Sequence, residues 1–510
     1  MKKAKNGFAR GAITLCVFLM VGKVIGAVYR LPLTYILGSE GIGIYQMIFP
    51  LYSLLLTISS SAVPQALSKL ISEKQAKGDY GGAKQIFRVA TIWLIIFSFV
   101  CTAIILIACM PISRMQGNAQ SYICYLGIAP SIIFVGVISA YKGYFQGQEN
   151  MVPSGVASLI EQVVKMVAGL LLAYLFMPKG VLFGVFGALL GVSISEFVAA
   201  IYLAVRCIIT KPRRKIVTNG LNFKSCSKAL LSICLPVTLG ALILPLVQFI
   251  DSGLVVKLLT MSGYSQQEAT SLFGLSSGAV GSLVNLPVVL SLSVATAVLP
   301  SISKSNVCGN EQRVKSTINK SFMLTILLTL PCVFGLFMLS RPIISFLYGG
   351  VFSEAEIEIA SYLLKIGAVS CLFLALTQVS SGILQGKGNF KTPMFALLVG
   401  GVFKIIANIV LIKVPQINIY GDQIANLLCF LAAFLVNISF IAKQITAATY
   451  RDILKILIAS IVMSGFISLF IYFVDVNNFW LLATSIICAV MVYFSTLIIL
   501  FYNKSNKKEW

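Results

Sequence analysis

Gly143 to Leu172 reads GYFQGQENMVPSGVASLIEQVVKMVAGLLL, and much later Gly382 to Leu411 reads GILQGKGNFKTPMFALLVGGVFKIIANIVL. Gly143, Gln146, Gly147, Asn150 and Lys165 recur as Gly382, Gln385, Gly386, Asn389 and Lys404 at a constant offset. Pro153 and Pro393 are out of step by one residue, as a slip in a loop produces. A second echo relates Pro50, Ala62-Val63-Pro64 and Ser68-Lys69 to Pro287, Ala297-Val298-Leu299-Pro300 and Ser303-Lys304. Repeats this long indicate a duplicated half, and in a membrane protein they suggest two lobes around one central site. Each copy also carries a lysine midway along an apolar helix, Lys165 in the first and Lys404 in the second.

Around that repeat the chain is 58% hydrophobic and 11% charged, with a mean hydropathy of +0.94, far from the soluble norm. The expected class is an all-α polytopic membrane protein. Apolar runs at 12–37, 43–68, 88–110, 121–141, 154–176, 180–205, 229–255, 275–303, 321–340, 361–385, 393–412, 421–442, 453–474 and 479–502 make about fourteen transmembrane helices. They divide into two pseudo-symmetric six-helix lobes, 1–210 and 229–447, a basic cytoplasmic linker at 211–228, and an extra helix pair with a basic tail at 448–510. No cleavable signal peptide is expected, because the first apolar run is too long and continues through Lys23 and Arg30.

The net charge of +23 is distributed unevenly. Lys2, Lys3, Lys5 and Arg10 precede the first helix, Lys69, Lys74, Lys77, Lys84 and Arg88 follow the second, and Arg206, Lys211, Arg213, Arg214 and Lys215 follow the sixth. The same side receives Lys304, Arg313, Lys315, Lys320, Lys387, Lys391, Lys443, Arg451, Lys455, Lys504, Lys507 and Lys508. The other side holds Arg114, Lys179, Lys257, Arg341, Lys365 and Lys413. This asymmetry puts both termini in the cytoplasm of a multi-pass inner-membrane protein. The basic excess is read as topology and contact with membrane lipids, and no nucleic-acid partner is expected.

The sequence contains no histidine, which excludes a Ser-His-Asp triad and a His-ligated metal. Its twelve cysteines are scattered without a C-x-x-C pair, and no Walker-type loop is present. External loops are short, the longest near 257–274 and 341–360, leaving little catalytic surface. The expectation is a protein that is not an enzyme, with no cofactor and no metal.

Polar residues inside the helices carry the remaining information. In the first helix Lys23, Ala27 and Arg30 share a face, with Gly22 and Gly26 forming a small-xxx-small packing step. Arg30 alone would also suit snorkelling to the interface. A mid-membrane lysine such as Lys23 costs roughly 2.5–3.5 kcal/mol unless water, an ion or a partner receives it. Pro50 and Pro64 in the second helix are matched by Pro287 and Pro300 in the eighth, while the seventh carries Pro236 and Pro245 and ends in Gln248 and Asp251. Such paired kinks suit moving walls of a cavity, with static kinks as the alternative. Glu161 and Lys165 stand at i, i+4, the orientation of a helical ion pair, whereas Gly400 in the duplicate leaves Lys404 without an in-helix partner, one turn before Asn408. On this reading Lys23, Arg30, Lys165 and Lys404 hold an anion, Lys404 matters more than Lys165, and the two repeat lysines approach each other across the axis of a shared chamber. Glu161, Gln248, Asp251, Asn285 and Asn408 are supporting candidates. Gln162, Glu196, Gln378, Asn426 and Asn437 read as interhelical glue.

Two homologous halves, an extra helix pair, the loop SKLISEKQAKGDYGGAKQIF at 68–87 and the turn FQGQENMVP at 145–153 resemble the multidrug/oligosaccharidyl-lipid/polysaccharide exporter superfamily. The likeness is greatest to its polysaccharide-transporter branch, which includes stage V sporulation protein B and the lipid II flippases. That resemblance implies two helical bundles around a V-shaped chamber, alternating access, and a lipid-tail groove formed with 453–502. In lipid II flippases the first helix carries two basic residues flanking a glycine, and Lys23, Gly26 and Arg30 resemble them. Those flippases carry further arginines on helices two and eight, where this sequence has Ser59 to Ser61 and Asn285. The implied function is flipping of an undecaprenyl-pyrophosphate-linked saccharide, a peptidoglycan or spore-cortex precursor, with cell-wall synthesis proteins as partners. The alternatives are a cation-coupled multidrug exporter of the same fold and a non-transporting scaffold of cell-wall assembly.

Overall fold

The computed structural model describes the backbone of residues 2–60, 62–210, 223–474 and 479–505, and their side chains apart from 2–16, 76, 236, 307, 479 and 502–505. Ser61, Lys211, Arg213, Arg214 and Lys215 of the basic linker, and Lys507 and Lys508 of the tail lie outside the described residues. For Lys2, Lys3, Lys5, Arg10, Pro236 and Lys504 only the backbone is described.

Helices account for nearly all of what is described, with no strand among those residues. In order they are α1 (Lys2–Ser60), α2 (Val63–Ala76), α3 (Tyr80–Met115), α4 (Tyr122–Gly147), α5 (Val152–Phe176), α6 (Val181–Ile209), α7 (Phe223–Met261) and α8 (Gln266–Phe273). A π-helical segment, Gly274–Val280, leads into α9 (Gly281–Val307). The remainder are α10 (Glu311–Met338), α11 (Ser340–Tyr348), α12 (Glu354–Gly386), α13 (Lys391–Leu411), α14 (Tyr420–Ser439), α15 (Ala447–Phe473) and α16 (Phe479–Ser505).

Thirteen runs among the described residues are long and apolar enough to cross a membrane. The first, Val17–Gln75, breaks at Gly38, whose φ of 68° and ψ of −175° are open to glycine at little cost. Its two arms correspond to the first two expected helices, which brings the thirteen runs to the expected fourteen segments. The 341–360 region, expected as a plain loop, contains the short helix α11 because Ser340, Ile344 and Tyr348 bury one side of it. Helix starts follow capping chemistry. Asp79 accepts from the Gly82 N–H at α3, Asn310 accepts from the Arg313 N–H at α10, and Ser265 with Glu268 and Ser353 with Glu356 form capping boxes at α8 and α12.

The chain groups into two units, Met1–Lys257 and Leu258–Trp510. In the first, α5 packs on α1 and α6, and α4 packs on α2, α3 and α6. Its core gathers Tyr29, Leu33, Ile48, Tyr125, Ile128 and Leu189. In the second, α13 packs on α14, and α12 packs on α9, α10 and α14, while α15 joins α10 and α16. The repeat is therefore a repeat of packing. A Cβ on Gly143 would lie 2.9 Å from Leu67 Cβ and one on Gly147 2.8 Å from Ile71 Cβ, fixing α4 against α2. A Cβ on Gly382 would lie 2.8 Å from the Ala295 carbonyl oxygen and one on Gly386 3.0 Å from Ile302 Cβ, fixing α12 against α9. The turns match too, since the Asn150 N–H donates to Phe145 and the Asn389 N–H to Leu384.

Candidate functional site

In the first unit, the small residues of α1 determine where charge collects. A Cβ on Gly22 would lie 3.3 Å from Gln162 Cγ and one on Gly26 3.0 Å from Gln162 Oε1, so α1 lies close along α5 at the level of Glu161 and Gln162. Arg30, Glu161 and Glu196 fall within electrostatic reach of Lys165. The ion pair differs from the sequence expectation. Glu161 Oε2 lies 3.7 Å from Lys142 Nζ of α4, and Glu161 Oε1 accepts from Gln162 Nε2 at 3.2 Å. Lys142 Nζ also donates to Ser158 Oγ at 3.0 Å. Among the described residues Lys165 has no ion pair, and it is half-buried. Glu196 of α6 is 5% exposed and lies within reach of Lys142 and Lys165. Four basic side chains, Lys23, Arg30, Lys142 and Lys165, thus stand on α1, α4 and α5 against the two acids Glu161 and Glu196. Lys23 is exposed on α1 beside the Gly22 and Gly26 seam.

The second unit treats its lysine in the opposite way. Lys404, 6% exposed, lies 3.9 Å from Asp422 Oδ1 of α14, a residue with no exposed surface. Ser276, in the π-helical segment, donates its hydroxyl to Asp422 Oδ2. Gln423 Nε2 donates to Ser276 Oγ at 2.9 Å and to the Ser276 carbonyl at 3.2 Å. Asn408, one turn beyond Lys404, is fully buried. The expectation that Gly400 leaves Lys404 free is therefore corrected: the partner comes from the next helix. A Cβ on Gly400 would lie 2.5 Å from the Cys429 carbonyl oxygen, so no glutamate fits there while α13 and α14 stay this close. Glycine at that point admits the approach that brings Asp422 to Lys404.

The other supporting candidates scatter. Gln248 is exposed on α7, and Asn285 is exposed on α9, donating to the Gly281 carbonyl of its own helix at 2.6 Å. Asp251 is buried, and its neighbour Ser252 accepts from Gln116 Nε2 at 3.4 Å. Gln116 also donates to the Met47 carbonyl and accepts from the Tyr125 hydroxyl. Asn437, read as glue, does bond across helices, donating to Ser380 Oγ and Ser381 Oγ. The residues missed from sequence are Lys142, Asp422 and Ser276. Lys142 directly precedes the repeated Gly143 and aligns with Ser381, so the repeat itself marked it as a difference. Asp422 was hidden by its place in the first turn of α14, where an acid is ordinary.

Membrane-length helices with charged side chains held among them define a polytopic membrane protein. Residues 8–306, more than half of the chain, match the family described as "Polysaccharide biosynthesis protein", and the protein is a member of that family. Residues 236–410 also match the family described as "MatE". The lipid II flippase MurJ of Bacillus subtilis (strain 168) is 25% identical over 474 residues, spanning 89% of this chain and 86% of the relative. Stage V sporulation protein B of the same organism is 27% identical over 470 residues, spanning 91% and 89%. A solved structure of the lipid II flippase MurJ in an inward closed conformation superposes with a TM-score of 0.76 at 19% identity, covering 96% of this chain and 99% of that one. An inward-facing multidrug resistance MATE family transporter of the MOP superfamily gives 0.68 at 14% identity, covering 85% and 98%. These two likenesses establish the fold.

Proposed function

We propose that the protein flips an undecaprenyl-pyrophosphate-linked saccharide, a peptidoglycan or spore-cortex precursor, to the outer leaflet of the cytoplasmic membrane by alternating access. The observation that carries this reading is Lys165, a membrane lysine whose in-helix acid, Glu161, is engaged by Lys142. With Arg30 within reach and Lys23 further along α1, it supplies charge suited to a pyrophosphate. The likeness to relatives named as lipid II flippase and stage V sporulation protein B supports the substrate class. In this reading Lys404 is a positioning residue that ties α13 to α14. Both termini lie in the cytoplasm, and cell-wall synthesis proteins are the expected partners.

The test is binding of undecaprenyl-pyrophosphoryl saccharide to purified protein, followed by native mass spectrometry. Lys165→Gln should lower affinity about tenfold, the loss of one charge-assisted contact, and Lys23→Gln with Arg30→Gln should abolish complementation of a flippase-deficient strain without preventing insertion. Native-like binding by Lys165→Gln together with complementation by the double variant would remove the basis of the proposal. A cation-coupled multidrug exporter is the second reading, favoured by the buried acid Glu196. It requires Glu196→Gln to abolish drug resistance while lipid binding stays absent throughout.

A further inference from the structure

At one end of the second unit, α10, α12 and α14 enclose a groove of about 530 Å³ bordered by Phe337, Tyr362, Lys365, Val369, Tyr420 and Leu427. All three helices place it at the same level. Phe337 is in the last turn of α10, Tyr420 opens α14, and Tyr362 and Lys365 lie eight and eleven residues into α12, about 12 and 16 Å from its start. Tyr362 and Tyr420 meet edge to face at 6.2 Å near the start of their helices, where paired phenol rings suit a membrane–water interface. Lys365 Nζ lies 4.8 Å from the Tyr362 ring centroid, so its ammonium is held over the groove by a cation–π contact. One further turn outward, Glu358 occupies the same face of α12 as Tyr362 and Lys365, at i, i+4 and i+7, and its charge reaches Tyr420.

The order along α12 is specific: Glu358 comes first, one turn before the groove lining, then the Tyr362 ring with the Lys365 ammonium over it, then the apolar Ile366 and Val369, with Leu427 beside them on the groove wall. A phospholipid bearing an amine presents the complementary order, with its ammonium furthest from the bilayer centre, its phosphate beneath and a hydrocarbon chain below that. A lipid with phosphate alone would meet Lys365 but leave Glu358 repelling it. We propose that this groove is a binding site for a phosphatidylethanolamine-type lipid, with Glu358 taking the ammonium, Lys365 the phosphate, and Ile366, Val369 and Leu427 one acyl chain. The groove belongs to the second unit and Lys165 to the first, and the proposal does not rest on the flippase reading.

The experiment uses the full-length protein, delipidated in detergent and titrated with phosphatidylethanolamine or phosphatidylglycerol of identical chains, or with undecaprenyl phosphate, and read by native mass spectrometry. The native protein should retain phosphatidylethanolamine over phosphatidylglycerol. Lys365→Gln should weaken retention of both about fivefold, the effect of one basic contact near the surface, and Lys365→Arg should restore most of it. Glu358→Gln should erase the preference between the two lipids without lowering phosphatidylglycerol retention. Thermal unfolding of each variant in detergent separates lost lipid from lost fold. Equal retention of the two lipids by the native protein, or unchanged adducts in both variants, would falsify the proposal. Displacement of phosphatidylethanolamine by undecaprenyl phosphate would equally overturn it, since the groove would then belong to a lipid-linked phosphate.

Discussion

Lys165 and Lys404 descend from one repeated position, yet each has acquired what its own helix seemed to deny it. Lys165 has a glutamate one turn away and no ion pair among the described residues, because that glutamate turns to Lys142. Lys404 has a glycine one turn away and a buried aspartate beside it, because that glycine admits α14. The comparison teaches that a membrane lysine is neutralised by the helix it can approach most closely, and sequence distance is a poor guide to which one that is. One lysine stands outside any ion pair among the described residues, while its twin is tied to the neighbouring helix.

The largest expected effect breaks the second half of that contrast. Asp422→Asn takes the carboxylate from a buried lysine and should cost about 3–5 kcal/mol, whereas Lys404→Met combined with Asp422→Leu should recover most of it. Chemical unfolding in detergent micelles measures both, and additive losses in the double variant would rule out a pair. Gly400→Ala should follow, at about 1–3 kcal/mol, because its methyl group must push α13 away from Cys429; a neutral result would mean that the close seam is not what sets the pair. Lys165→Gln should leave stability within about 0.5 kcal/mol, the range of a substitution that breaks no buried pair, and a loss near that of Asp422→Asn would erase the asymmetry. Glu161→Gln, which frees Lys142 from a half-buried pair, should cost about 0.5 kcal/mol or less while strengthening anion binding.

The smallest effect distinguishes the two units by pH. Asp79 caps α3 and Asn310 caps α10. The Gly82 N–H, and next the Lys74 ammonium at 2.9 Å, hold the Asp79 carboxyl below the usual carboxylate range. A lowered folded-state value means that the cap contributes fully above the unfolded value of about 4 and fades as pH falls through the lower folded value. Hydrogen exchange at the start of α3 should therefore quicken in acid while the start of α10, capped by an amide, does not. Equal acid sensitivity at both helices would assign the effect elsewhere.

Much of the fold was legible in the sequence because apolar length alone identifies a membrane helix, and the repeat announced matching halves. The break at Gly38, placed between 37 and 43, was within reach for the same reason. The helix α11 was not, since its buried face is only three residues deep. Of the candidate site, the presence of Lys165 and Arg30 within apolar helices was legible as charge in an apolar run. The pairings were not, because Lys142 with Glu161 and Lys404 with Asp422 join different helices, and the second depends on Gly400, whose contact partner Cys429 lies elsewhere in the chain. Asn285 illustrates the converse: a polar residue in a span that satisfies itself on its own helix.

The pair between α13 and α14 also bears on how the chain is made. Lys404 leaves the ribosome before Asp422 exists, and a lone lysine at that depth is opposed by roughly 2.5–3.5 kcal/mol on translocon scales. The loop between the two helices is short, Ile412 to Ile419, and Asp422 lies in the first turn beyond it. Helix α13 therefore gains by waiting at the translocon until α14 arrives, so that the two partition into lipid as one hairpin with its charges already joined.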